Sequence, residues 1–204
     1  MKNKNKKWVN YCLAASAFFL LVSFGSVSAQ PSTENINGVP VDMAMEEQLD
    51  DYLNSLGEEE DSRAILFNVL EDISPKTPVA TRARAKSYEV SWYYYEGETE
   101  LAFEKLDELL ALAENSEISD VKAEAQATRV EILQMEGKYG EAFLLLNDVE
   151  IPLSNSRMPR VRYYGHNLIS RIYADWNRYD DALRHLLLAQ DAVNETNNER
   201  TPIR

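Results

Sequence analysis

Residues 137–146 read GKYGEAFLLL, and residues 177–189 read NRYDDALRHLLLA. Each stretch begins with a turn-forming residue, has an alanine five residues later and has a leucine four residues after the alanine. The same order recurs at intervals of forty residues, with Gly57, Gly97, Gly137 and Asn177 at the turn. A constant interval of this length indicates an internal structural repeat.

The other columns of the repeat also keep one kind of side chain each. The small column contains Ser62, Ala102, Ala142 and Ala182, and the apolar column after it contains Leu66, Leu106, Leu146 and Leu186. Before the turn, one apolar column contains Tyr52, Trp92, Ile132 and Ile172, and the next contains Leu53, Tyr93, Leu133 and Tyr173. Small side chains are expected where two helices pack closest, so each copy predicts a pair of packed helices.

The spacing of apolar residues supports two helices in each copy. In EGETELAFEKLDELLALA (96–113), apolar residues recur every three or four positions, which places them on one face of a helix. The predicted helices are 42–56, 60–73, 79–96, 99–115, 119–136, 139–150, 159–176 and 179–195. Polar or proline-bearing linkers separate the pairs, and no useful strand-like alternation is present, so the sequence predicts an all-α fold.

The stretches GETELAFEKL (97–106), GKYGEAFLLL (137–146) and NRYDDALRHLLLA (177–189) resemble the tetratricopeptide repeats. The resemblance implies a right-handed α-solenoid of about four helix–turn–helix units over 42–198. The expected units are 42–77, 78–117, 118–157 and 158–198, with the start of a further repeat at 199–204. The interval is forty residues rather than about 34. Two positions of the first helix also depart from that family. Where Trp is common, the chain has Lys86, Gln126 and His166, and where Gly is common, it has Val90, Val130 and Ser170.

The amino-terminal segment is typical of an export signal. Four lysines among the first seven residues precede an uncharged run from Val9 to Ala29, and VSA at 27–29 suits signal-peptidase cleavage. We therefore predict a cleaved signal peptide over 1–29, a flexible linker over 30–41, and export to the periplasm or cell envelope. The alternative is an uncleaved membrane anchor, because the uncharged run has 21 residues and about 20 can span a bilayer.

Charge and cysteine content exclude some classes of function. Removal of residues 1–29 changes the formal net charge from −13 to −17, because four lysines and no acidic residue are lost. Such a chain is unsuited to nucleic acid, whose phosphates bind clustered Lys and Arg, and is better suited to basic or neutral partners. The only cysteine is Cys12, so the processed chain has neither a disulfide nor a thiolate nucleophile.

No pattern of residues predicts catalysis, a metal or a cofactor. His166 and His185 are the only histidines, and we interpret them as surface or partly packed residues rather than as a metal or acid–base pair. The acidic run Glu58–Asp61 lacks the ligand spacing of a calcium loop. The rival hypothesis, a cell-wall enzyme with paired carboxylates, needs two acids in a closed cleft, one of them with a raised pKa.

The resemblance implies that the first helix of each unit lines a concave groove for a protein or peptide. We predict the groove contacts from outward positions of these helices: Arg84, Ser87, Ser91, Tyr94, Tyr95, Glu131, Gln134, Tyr164, Asn167 and Arg171. Tyrosine and arginine supply much of the binding energy at protein interfaces. The alternative for the aromatic run WYYYE (92–96) is packing. We interpret the basic residues as partners of carboxylates in the neighbouring unit; they are Arg82, Arg84, Lys86, Arg157, Arg160 and Arg162.

The end of the sequence suggests an uncovered surface. Residues 195–204 match a linker rather than a capping helix, which leaves Leu183 and Leu187 near an exposed end. The possibilities are homo-association through this end and a longer protein. Exported bacterial chains with such repeats often continue into a membrane helix and a diguanylate cyclase or histidine kinase. We therefore expect a non-catalytic binding scaffold that serves as the sensory input of such a protein. The alternative is a self-associating structural protein.

Overall fold

The structure is a computed structural model that describes residues 33–56 and 59–200. Within these residues the chain is mostly helical, as predicted. Two strands, β1 (Thr33–Ile36) and β2 (Val39–Asp42), precede eight helices. The helices are α1 (Met43–Asn54), α2 (Glu59–Asp72), α3 (Val79–Glu96), α4 (Thr99–Glu114), α5 (Ser119–Met135), α6 (Tyr139–Ser154), α7 (Pro159–Asp175) and α8 (Tyr179–Arg200). The predicted signal peptide and Gly57 lie outside the described residues.

The helices pack in sequence-adjacent pairs, α1 with α2, α3 with α4, α5 with α6 and α7 with α8. The first helix of each pair also contacts the first helix of the next pair, so that α1, α3, α5 and α7 lie side by side. One large apolar cluster runs through the later pairs, from Ala80 on α3 to Ala182 on α8.

The same turn joins the two helices of the last three pairs. Gly97, Gly137 and Asn177 have φ of +85°, +74° and +57°, the left-handed conformation that commonly ends an α-helix. In each turn the next backbone N–H donates to a carbonyl five residues earlier, and the three N···O distances are 2.9, 2.9 and 2.8 Å. The predicted turn column is confirmed at these positions.

In the columns before the turn, Leu53, Trp92 and Tyr93 are partly buried and the other five residues are buried, while the two columns after the turn are buried with one exception. All four residues of the small column are buried, as are Leu66, Leu106 and Leu146 of the apolar column. Leu186 is 47% exposed, so its predicted place in the core is wrong. The earlier leucines lie between their own pair and the next one, whereas no described helix follows α8 to cover Leu186.

A β-hairpin occupies most of the segment predicted to be a flexible linker. Asn37 and Gly38 both have positive φ, as a tight Asn-Gly hairpin turn requires, and β1 pairs antiparallel with β2. Val39 and Val41 are fully buried in the apolar cluster. The linker prediction is therefore wrong for residues 33–41, because alternate residues of β2 find an apolar surface on the helices.

The hairpin lies along the amino-terminal ends of the first helices. The backbone N–H of Asp42 donates to Oγ1 of Thr81 on α3 at 3.0 Å, and Nδ2 of Asn37 donates to the carbonyl of Arg157, just before α7, at 2.9 Å. Among the described helices, none combines the length and the apolarity needed to cross a membrane.

Candidate binding face of the first helices

The side-by-side arrangement of α1, α3, α5 and α7 creates a shared surface, which we call the first-helix face. It has two parts. The charge network contains Glu46, Asp50, Arg84, Glu124 and Arg160, and the tyrosine cluster contains Tyr94, Tyr95, Glu131, Gln134, Tyr164 and Arg171.

The charge network links all four first helices. Nη1 of Arg84 on α3 lies 2.6 Å from Oε2 of Glu46 on α1, and a second guanidinium nitrogen bonds Asp50. Arg160 on α7 lies 3.5 Å from the same oxygen of Glu46 and 2.6 Å from Oε1 of Glu124 on α5. Glu46 thus connects the first pair with the last, although 114 residues separate it from Arg160.

Both Glu46 and Arg84 are buried, with 4% and 2% of their surfaces exposed. Burial acts to raise the pKa of Glu46, but the charges of Arg84 and Arg160, with hydrogen bonds from Arg84 and Thr81, outweigh it and lower the pKa. The carboxylate is therefore ionised at neutral pH. A buried ion pair of this kind adds little net stability, because both groups lose their hydration, but the removal of one partner is strongly destabilising because it leaves the other charge buried and unpaired.

Two of the predicted groove contacts belong to this buried layer, and their predicted outward orientation is wrong. The Arg84 guanidinium is held by α1, and the hydroxyl of Ser87 lies 2.7 Å from that of Thr128 on α5, where both residues are buried. The interpretation of the basic residues is confirmed for three of them, since Arg84, Arg157 and Arg160 pair with carboxylates of a neighbouring helix pair.

In the tyrosine cluster, Glu131 on α5 is the central acceptor. It accepts a hydrogen bond from the Tyr164 hydroxyl and lies 3.0 Å from Nη2 of Arg171, and both donors are on α7. Burial, together with the neighbouring Glu131 carboxylate, raises the pKa of Tyr164 well above its ordinary value. Glu131 is itself buried, so its predicted exposure to a partner is wrong, while Tyr164 and Arg171 are partly exposed.

Towards the carboxyl ends of the helices the cluster becomes accessible. The Tyr94 hydroxyl donates to Glu136 at 2.9 Å, and Nε2 of Gln134 donates to Asp175 at 2.8 Å. Tyr95 is 41% exposed, and its ring meets that of Tyr94 edge-on, with 6.4 Å between the centroids.

The other two predicted contacts are partly exposed but bond within their own helices. Oγ of Ser91 donates to the carbonyl of Ser87, and Nδ2 of Asn167 donates to the carbonyl of Tyr163. Of the ten predicted contacts, seven therefore have surface available to a partner, and Arg84, Ser87 and Glu131 do not.

The accessible end of the first-helix face is acidic. Glu96, Glu136 and Asp175 are exposed at the carboxyl ends of α3, α5 and α7. The carboxyl end of a helix carries a partial negative charge, which adds to that of the three side chains. A cationic group is thus favoured at this end of the first-helix face.

The two histidines form a buried pair rather than the surface or partly packed residues predicted. Nδ1 of His166 on α7 lies 3.1 Å from Nδ1 of His185 on α8. Burial, with the neighbouring histidine or arginine charges, lowers the pKa of each to about 4, so both are neutral at pH 7. In the part of the chain that the structure describes, no three His, Cys, Asp or Glu side chains are grouped to hold a metal ion.

A carboxylate with a raised pKa does occur, at Glu89, within a group of ion pairs. Burial raises the pKa of Glu89 on α3, against the opposing charges of Lys86 and Lys105. Both lysines bond Glu108 on α4, so the group is a chain of ion pairs between two helices. An open cavity of about 400 Å³ lies elsewhere, between α1 and α2, and is lined by Gln48, Asp51, Ile65, Asn68, Glu71 and Asp72.

The acidic half of the charge network was not predicted from the sequence. Arg84 and Glu124 occupy the same repeat position forty residues apart. Opposite charges at equivalent positions of neighbouring helices could have indicated an ion-pair network between those helices.

No protein-family model matches the chain, and no curated protein or solved structure matches it. The resemblance to tetratricopeptide repeats therefore stays a prediction from the repeated residues.

Proposed function

We propose that residues 42–198 form a right-handed α-solenoid of about four tetratricopeptide-like units that binds a protein or peptide and performs no catalysis. Contacts between neighbouring first helices support the repeat. The pairs Ser87–Thr128, Tyr94–Glu136, Gln134–Asp175 and Glu131–Arg171 are separated by 41, 42, 41 and 40 residues. Separations this close to forty are expected when successive units stack in one register.

The binding surface is the accessible end of the tyrosine cluster rather than the whole first-helix face. The carboxylates of Glu46 and Glu124 are already paired with arginines of the charge network, and the hairpin covers the nearby amino-terminal ends of the helices. Tyr94, Tyr95, Gln134 and Arg171 retain exposed surface. A tyrosine offers a large contact area at small entropic cost, which suits it to an interface.

The partner is a segment that carries lysine or arginine. The observation that carries this proposal is the presence of an exposed carboxylate at each of three helix carboxyl ends, Glu96, Glu136 and Asp175, with the exposed Tyr95 at the end of α3. A cation at this edge interacts with the carboxylates and the helix dipoles, and can also lie over a tyrosine ring.

We place this scaffold in the bacterial cell envelope, as the sensory input of a membrane signalling protein such as a diguanylate cyclase or histidine kinase. Two observations motivate the proposal. Basic residues followed by an apolar run at 1–29 are typical of an export signal, and the repeats resemble tetratricopeptide repeats. Expression of the full coding sequence and analysis of the mature amino terminus tests the export step, since cleavage after Ala29 is expected. An intact Met1 on chain recovered from the cytoplasm contradicts it.

The binding proposal is tested with peptides selected against the chain from a random display library. We expect enrichment of Lys- and Arg-containing peptides, whose affinity, measured by fluorescence anisotropy, falls at least about tenfold in Tyr95→Ala and in Glu136→Lys, a loss of about 1.4 kcal/mol. Tyr139→Ala is the matched control, because Tyr139 is similarly exposed but lies on α6. Equal losses in Tyr95→Ala and Tyr139→Ala, or no loss in either, contradict the assigned surface.

A further inference from the structure

The last described helix carries an apolar stripe that no described residue covers. Tyr179, Leu183, Leu186 and Leu187 on α8 are 65, 57, 47 and 55% exposed. At about 100° per residue, these four positions fall within about 100° of the helix circumference, and Gln190 and Asn194 continue the line. We call these six residues the α8 stripe.

The α8 stripe faces away from the rest of the molecule. Ala182, His185, Ala189 and Ala192 form the buried side of the helix. Glu150 on α6 lies 3.3 Å from Nε2 of His185, which places α6 on the side opposite Leu183. A contiguous apolar surface with a polar margin is typical of an interaction site.

We propose that the α8 stripe packs antiparallel against the α8 stripe of a second copy of this chain, across a twofold axis near Leu187. A twofold interface requires a surface that complements itself. The stripe meets this requirement because its leucines lie near the centre and are uncharged, so that Leu187 contacts Leu186 and Leu187 of the partner subunit.

The charges along one edge of the stripe specify the antiparallel direction. Arg184 and Asp191 lie on the same side of α8, and both are exposed. In an antiparallel pair centred near Leu187, Arg184 lies opposite Asp191 of the partner subunit, and the symmetry repeats this ion pair. In a parallel twofold pair, the edge that carries Arg184 and Asp191 in one copy lies on the opposite side of the contact from the same edge of the partner subunit, so this ion pair does not form.

Arg184 makes only ion pairs of 3.5 Å or longer with the described residues of its own copy. Arg184 is 3.8 Å from Glu150 and 3.5 Å from Asp181, distances that allow it to turn outward. Asp191 has no ion pair with any side chain that the structure describes.

Head-to-tail stacking of copies fits the surface less well. At the other end of the described helices, the surface of α1 and α2 exposes Glu47, Gln48, Asp51, Glu71 and Asp72. An apolar stripe placed against these carboxylates leaves charges buried without partners, which is costly. The interface of the α8 stripe with itself avoids this arrangement.

The contact is of modest size. The stripe spans sixteen residues, or about 24 Å of helix at 1.5 Å per residue. A helix-to-helix contact of this length buries on the order of 1,000 Å² in total, near the lower limit for a specific interface. We therefore expect a reversible dimer with a dissociation constant in the micromolar range.

Sedimentation velocity of the chain, expressed from its full coding sequence and purified in the form the cell produces, tests the interface. We expect a concentration-dependent dimer that Leu183→Glu and Leu187→Glu convert to monomer. Leu144→Glu is the control, because Leu144 is 73% exposed on α6, away from the stripe, and this variant should still dimerise. A monomeric wild type at 200 μM (about 200-fold above a micromolar dissociation constant), or equal loss of the dimer in Leu144→Glu, overturns the proposal.

A charge exchange tests the antiparallel geometry. Arg184→Asp and Asp191→Arg should each weaken the dimer at least about tenfold, and the double variant should recover most of that loss, because the ion pair is restored with its charges reversed. Circular dichroism of each variant establishes that the helices remain. A folded double variant that dimerises no better than the single variants overturns the proposed pairing. Both tests are independent of peptide binding, whose surface is on other helices.

Discussion

Gly165 offers a quantitative test of how closely α6 and α7 pack. A Cβ atom built at Gly165 lies 2.8 Å from Cδ1 and Cδ2 of Leu153 and 2.9 Å from its Cβ. Carbon atoms in contact are ordinarily about 3.5–4.0 Å apart. Rotation of Leu153 can relieve the contacts with its terminal methyl groups, but its Cβ is fixed to the backbone of α6. Gly165→Ala therefore requires the two helices to separate by several tenths of an ångström or more.

Two opposite effects determine the size of the change. Overpacking a close contact costs about 1–3 kcal/mol, whereas alanine is favoured over glycine inside a helix by about 0.5–1 kcal/mol. Gly140→Ala isolates the second effect, because a Cβ at Gly140 meets nothing within 4 Å. We expect Gly165→Ala to lower the free energy of unfolding and Gly140→Ala to leave it unchanged or raise it, so that the variants differ by about 1–3 kcal/mol in urea titrations.

A double-mutant cycle identifies Leu153 as the cause. Leu153 is fully buried, and Leu153→Ala alone should cost about 2–5 kcal/mol. Its loss removes the atoms that oppose the new methyl group, so Gly165→Ala should cost less, or be stabilising, in the Leu153→Ala background. Equal stabilities of Gly165→Ala and Gly140→Ala, together with strictly additive effects in the cycle, would refute the close contact of α6 with α7.

Glu46→Ala should lower the unfolding free energy by about 3–5 kcal/mol, because it removes a carboxylate from the buried guanidinium of Arg84 and the partly buried guanidinium of Arg160. Asp181→Ala, at a partly exposed ion pair, should cost at most about 1 kcal/mol. Equal small losses in urea titrations argue against the network. The His166–His185 pair predicts loss of stability on acidification. The pKa of each is about 4 in the folded chain, against about 6.5 when unfolded. The unfolded chain binds more protons between these values, so the unfolding free energy falls as pH drops from about 6.5 to about 4, by about 3 kcal/mol for one histidine. His166→Gln should flatten this pH dependence, and an unchanged slope contradicts the assignment. Gly97→Ala, at a φ of +85°, should cost about 1 kcal/mol from the left-handed backbone, and an unaffected midpoint of thermal unfolding argues against that turn.

Local sequence patterns predicted the helices because they depend on short-range chemistry. The turn at Gly137 follows from the freedom of glycine to adopt positive φ, and the burial of Ala142 follows from the need for a small side chain at a helix crossing. Pro152 leads the sequence pattern to predict that α6 ends at 150, whereas the helix continues to Ser154.

The errors arose where distant parts of the chain meet. Periodicity correctly separated Arg84 from the apolar side of α3, but it could not show that α1 packs over that polar side. The hairpin was missed although Asn37 and Gly38 form a strong turn signal, because its stability depends on placing Val39 and Val41 against helices far along the chain. Leu186 is a leucine, like the other residues of its repeat column. Its burial, however, depends on a further helix packed against α8, which the residues of α8 do not specify.

The accessible site was predicted in part. Tyr95 was recognised because its position is unexplained by the apolar columns, and the structure leaves it exposed. Glu131 was assigned to the same surface, yet Tyr164 and Arg171 enclose it. A helical pattern indicates which residues point away from the core, but it does not indicate which of them satisfy one another.

Amide chemical-shift mapping of the chain, titrated with a selected Lys- and Arg-containing peptide, tests the central claim most directly. The claim predicts that shifted resonances concentrate near the carboxyl ends of α3, α5 and α7, at 91–97, 131–137 and 171–177. Shifts concentrated on α4 and α6, with those three segments unchanged, would contradict it.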